Sequence, residues 1–96
     1  MRAILASAAV MAMVATAQAQ AAESPAGASA CTGCHPASAG VQTPVPRLAG
    51  RDAAQIVAAM QIFRGSREPV TVMDRIAKGF TDDEIQAIAA WYAAQR

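Results

Sequence analysis

The chain has 96 residues, with 8 basic and 7 acidic side chains, two cysteines and one histidine. That length leaves room for one domain and excludes a doubly wound sheet or a site assembled between lobes. A formal charge of +1 provides no polybasic footprint for nucleic acid.

Met1-Arg2 gives a short basic start, and Ala3 to Ala15 is then apolar apart from Ser7. Ala17-Gln18-Ala19 is an A-x-A cleavage signature. This order predicts a secretory signal peptide over residues 1–19, cut after Ala19, with Ala21 and Ala22 as alternatives. The apolar run is shorter than the roughly 18 residues a membrane span needs, and no second run follows. The expected product is residues 20–96, a single exported, soluble domain in the periplasm. Removing residues 1–19 leaves 7 basic against 7 acidic groups. Outside alanine and cysteine, only 17 sizeable apolar side chains remain. A core that small is seldom stable without disulfides, a metal, a cofactor or a partner.

Both cysteines and the histidine lie in one stretch, Cys31-Thr32-Gly33-Cys34-His35. C-x-x-C-H is the attachment pattern of c-type haem. Two thiols three residues apart on one helical turn can form thioethers to the two porphyrin vinyl groups. The next residue then offers its imidazole to the iron. Three other readings compete. A thioredoxin-like pair belongs near a βαβ pattern, and the one strand-like run is Val70-Thr71-Val72. A structural zinc site normally takes four ligands, and these three residues are the whole supply of thiols and imidazoles. A plain Cys31–Cys34 disulfide is compatible with export but leaves the adjacent histidine unexplained. Haem also supplies what the composition lacks, a large apolar body to pack against.

A short helix leads into Cys31, with Ser24 or Ser29 as its cap, and Pro36 disfavours helix beyond about His35. Ala37 to Gly50 lacks helical periodicity and is punctuated by Gly40, Pro44 and Pro46. It is expected as a loop on one side of the ring. Asp52 caps a second helix, with Gln55 completing a capping-box pattern. Ile56, Met60 and Phe63 make its apolar stripe, and it stops at Gly65 with Arg64 in the last turn. Arg67 to Val72 reads as a loop, followed by a single turn over 74–78 ended by Gly79. The last helix starts at Thr81, with Glu84 three residues on and Phe80 against Ile85 as a staple. Ile85, Ile88, Ala89 and Tyr92 are its buried stripe, with Trp91 at the edge. Asp82, Asp83 and Glu84 suit the positive end of its dipole.

Two methionines remain as candidates for a sixth iron ligand. Met60 lies on a helix stripe, the usual place for a core methionine. Met73 follows a loop, far enough from His35 for the chain to circle the ring and return on its other face. Met73 is the expected ligand.

These residues resemble a class I cytochrome c from Cys31 to Ala94. The family's Pro-x-Leu-x-Gly reads here Pro46-Arg47-Leu48-Ala49-Gly50. The resemblance implies an all-α fold of about three main helices around one covalent haem c. It implies a Pro46 carbonyl that accepts a hydrogen bond from His35, and Met73 as distal ligand. Phe63-Arg64-Gly65-Ser66 and the run Met73 to Thr81 look most like the cytochrome subunit of flavocytochrome c sulfide dehydrogenase. Cytochromes of the c4/c5 and c-553 types are similar too. The chain departs from the family in two respects: it has one haem motif where some flavocytochrome relatives carry two haem domains, and the bulky aromatic usual four residues before the first cysteine is Gly27. The expected contact of the first helix with the last is then thinner, or made by Trp91 leaning in.

The implied function is electron transfer, as the accepting subunit beside an FAD-containing sulfide dehydrogenase chain. The alternatives are a free carrier that serves other redox proteins, or, with an open sixth site, a haem-based small-ligand sensor. No acid–base pair argues for catalysis by the chain alone.

Overall fold

Thr81 starts the most strongly specified element. Its hydroxyl accepts the Glu84 N–H at 3.2 Å, and the Glu84 carboxylate accepts the Thr81 N–H at 3.1 Å. Both halves of a capping box therefore open a helix over Asp82–Ala94, satisfying donors that a helix start leaves bare. Asp52 caps a second helix, Ala53–Gly65, by accepting the Gln55 N–H at 3.1 Å. A third, Val72–Ala77, is capped by Thr71. A single turn, Ala28–Cys31, precedes them all. In chain order these are α1 (Ala28–Cys31), α2 (Ala53–Gly65), α3 (Val72–Ala77) and α4 (Asp82–Ala94). The computed structural model describes residues 23–67 and 71–95, and within them the chain is all-α, with no strand. The expected leader over 1–19 and its cleavage alternatives lie outside the described residues.

The stripe read from α4 is the buried one: Ile85, Ile88, Ala89 and Tyr92 all lie inside. Ile88, Ala89 and Tyr92 join Ile56 of α2 and Ala28 of α1 in the central cluster. Met60, Phe80 and Trp91 pack on its margin, half-buried. Tyr92 reaches across the cluster to donate its hydroxyl proton to the Ala28 carbonyl. α2 packs against both α3 and α4.

The 37–50 segment is a loop, as its composition predicts. Its end is fixed by Gly50, which adopts φ +77° and donates its N–H to the Tyr92 carbonyl at 3.0 Å. This is a backbone conformation that glycine takes without strain. It ties the loop to the C-terminal end of α4.

Several local expectations change. Neither Ser24 nor Ser29 caps α1, because the cap position is Gly27, in the left-handed region at φ +86°. α1 ends at Cys31, and turns carry the chain on, with the His35 N–H bonded to the Cys31 carbonyl at 2.9 Å. α3 begins at Val72, two residues before the turn expected there. Thr71 accepts the Met73 N–H at 3.2 Å while the Asp74 carboxylate accepts the Thr71 N–H at 2.8 Å. That reciprocal cap turns a run of β-branched residues, read as strand-like or loop, into a helix start.

Candidate haem-attachment site

α1 presents Cys31 half-buried, and the turns after it leave Cys34 exposed. Both are free thiols. Burial pushes the Cys31 thiol above its ordinary range, partly offset by the Tyr92 hydroxyl beside it. Tyr92 is itself pushed up to about 12, first by burial and then by the neighbouring Cys31.

His35 follows on the same turn. Its Nδ1 lies 2.5 Å from the Pro46 carbonyl oxygen. A carbonyl only accepts, so Nδ1 carries the proton and donates. In the neutral imidazole this leaves the Nε2 lone pair for a ligand. Pro46 is held by its own loop, where Arg47 Nε donates to the Ala37 carbonyl at 2.9 Å. His35, Pro36, Leu48, Trp91 and Tyr92 line a cleft of about 160 Å³ between this loop and α4. The rings of Trp91 and Tyr92 meet edge to face, with centroids 4.9 Å apart. This is a favourable geometry for aromatic pairs.

The methionines occupy different settings. Met60 packs on the central cluster from α2. Met73 is half-buried on α3, outside that cluster, with its N–H on the Thr71 hydroxyl. The structure thus brings His35 and Pro46 together beside the two thiols, while Met73 stands on a separate element. α3 is tied down at both ends. Besides the Thr71 cap, Lys78 Nζ donates to the Ser66 carbonyl at 2.7 Å, closing the segment that contains Met73 onto the end of α2. Sequence reasoning missed this tie. A lysine one position past a helix, facing the carbonyl end of another, carries no pattern of its own.

The residues fit a haem by the chemistry of their donors. Among the described residues, no three His, Cys, Asp or Glu side chains converge to hold an ion alone, Cys31, Cys34 and His35 included. The set offers two alkylatable thiols and one directed imidazole nitrogen instead. Val41, Ile62, Val72 and Ile76 are 42–73% exposed.

The chain is similar to two proteins named thiosulfate dehydrogenase electron acceptor. It is 40% identical to the one from Stutzerimonas stutzeri (strain A1501) over 67 residues, 66% of this chain and 31% of that protein. It is 41% identical to the one from Thiomonas intermedia (strain K12) over 73 residues, 72% of this chain and 34% of that protein. It is also 34% identical over 62 residues to the cytochrome subunit of sulfide dehydrogenase from Chlorobaculum tepidum, 65% of this chain and 56% of that subunit. These similarities support a cytochrome c. It spans about a third of the length of the first two relatives and about half of the third. No protein-family model matches the chain, and no solved structure does. No helix among its described residues is long and apolar enough to cross a membrane.

Proposed function

We propose that the chain is an exported one-electron carrier, working in the periplasm after loss of residues 1–19, that accepts electrons from a sulfur-compound dehydrogenase. The reading rests first on one juxtaposition: two free thiols and a histidine within five residues, with the imidazole aimed by Pro46. Cys31 and Cys34 are the covalent anchors for one haem c. His35 Nε2 is the proximal ligand and Met73 the distal one. Bound haem supplies an iron that changes oxidation state by one electron. The protein holds both ligands through that change. The Pro46 carbonyl keeps the Nδ1 proton in place and makes Nε2 the better donor, the usual role of a second partner behind a ligating histidine. The cap at Thr71 and the Lys78 tie restrain the Met73 side.

The relatives' names divide between two electron donors. The resemblance of the run Met73 to Thr81 supports an FAD-containing sulfide dehydrogenase chain as partner. The two relatives named thiosulfate dehydrogenase electron acceptor support a second class of donor. Both are tested in one assay: haem-loaded protein is mixed with each dehydrogenase in turn, with sulfide or thiosulfate, and haem reduction is followed. Reduction in one arm names the partner. If the haem stays oxidised in both arms while dithionite reduces it, the sulfur-dehydrogenase assignment fails.

A further inference from the structure

α1 is only four residues long, too short to hold its position by its own hydrogen bonds, yet it leads into the two thiols and His35. Two contacts among those that hold it stand out. One is the bond from the Tyr92 hydroxyl to the buried Ala28 carbonyl. The other is Gly27. Its φ of +86° suits glycine, and a Cβ built there would stand 2.7 Å from Phe80 Cε1 and 3.7 Å from Ile88 Cδ1. The Phe80 ring therefore lies in the notch that the missing side chain leaves. Phe80 itself is placed by the turn closing α3, with the Gly79 N–H on the Ile76 carbonyl and the Phe80 N–H on the Ala77 carbonyl. Met73 lies on that same six-residue helix. One ring thus bridges the arm that carries Cys31 and His35 and the element that carries Met73.

We propose that Phe80 is a positioning residue. By keying into the Gly27 notch it fixes the spacing between the proximal arm and the Met73 side, and so keeps the sixth ligand on the iron. The proposal rests on the His35/Met73 reading given above.

The test is a double-mutant cycle on the haem-loaded protein with Gly27→Ala, Phe80→Leu and the pair. The strain of a positive φ accompanies Gly27→Ala in both backgrounds and cancels in the cycle. If the key exists, Gly27→Ala lowers the folding equilibrium constant at least fivefold more in the wild-type background than in the Phe80→Leu background. The second readout is the rate at which cyanide binds the ferric protein, compared with that of Met60→Ala, a variant destabilised through α2, because loss of stability by itself also opens the site. It is expected to rise at least fivefold in Phe80→Leu and in Gly27→Ala alike. Additive effects in the cycle, or a cyanide rate in both single variants no higher than that of Met60→Ala, would overturn the proposal. Met73→Ala separates this from the ligand reading. If that variant binds cyanide no faster than wild type, the Met73 assignment falls, and the cycle still decides whether Phe80 and Gly27 interlock.

Discussion

Tyr92 carries the one polar side chain in the central cluster, and its hydroxyl is answered by the Ala28 carbonyl. Replacing it with phenylalanine removes that hydrogen bond. A bond of this kind contributes about 1 kcal/mol net, so Tyr92→Phe is expected to lower stability by that amount, read from the denaturant midpoint. The slope of unfolding should not change. The two methionines give a paired prediction at the same scale. Met73→Ala should abolish the thioether–ferric charge-transfer band. Met60→Ala should keep the band and lose about 2 kcal/mol, the low end of the core range, because Met60 is half-buried. A band that survives in Met73→Ala and vanishes in Met60→Ala would reverse the assignment. The contact between His35 and Pro46 is legible only through resemblance, since nothing in their spacing of 11 residues forces the loop back onto the ring nitrogen. The role of Gly27 is half legible. Its departure from the family pattern is visible, but the sequence does not say which aromatic fills the notch, and Phe80 rather than Trp91 does so.

At the scale of elements, caps decide what can be read. α4 is legible because Thr81, Glu84 and a load of first-turn acids all point the same way. α2 is legible from Asp52 and the stripe that includes Ile56. α3 is not. Its box uses Asp74 where glutamate or glutamine is the familiar signal, and Thr71-Val72 favours strand by local propensity. The reciprocal bonds, together with packing on α2, outweigh that propensity. Thr71→Ala and Thr81→Ala should each cost about 1 kcal/mol, as a lost cap usually does, measured by thermal unfolding of the loaded protein. The two differ in consequence. Only Thr71→Ala should also speed ligand exchange at the iron, because only α3 carries Met73. Equal exchange rates in the two variants would show that the α3 cap does not steady the ligand.

Across the whole molecule, the ends of helices are cross-linked by charge. Arg64 in the last turn of α2 pairs with Asp82 in the first turn of α4, and Gln61 donates to the same carboxylate oxygen at 2.8 Å. Each charge sits at the dipole end that favours it. Gln61's bond, then Arg64's bond and charge, hold the Asp82 carboxyl below its ordinary value. The unfolded chain therefore takes up this proton first as pH falls. The contribution is present above about pH 4, where an unfolded aspartate ionises, and is lost as pH drops further through the folded value. Asp82→Asn should flatten the acid limb of the stability curve below about pH 4, measured by urea unfolding at stepped pH. An unchanged acid limb would mean that the pair contributes nothing to folding.

The central cluster holds only five residues, two of them alanine, while Val72 and Ile76 of α3 stay exposed. A domain with this little buried bulk is expected to depend on its cofactor. Composition alone makes that dependence readable, because 17 sizeable apolar side chains are too few for a self-sufficient core. The three-dimensional arrangement of the site has no such signal. The most direct measurement is the intact mass of the protein under denaturing conditions, after expression in a host that attaches haem c and extraction with acidified acetone. The expected mass is that of the processed chain plus one haem, and that of the bare chain for Cys31→Ala with Cys34→Ala. A wild-type chain that loses all its haem to the solvent, or that folds cooperatively without any, would contradict it.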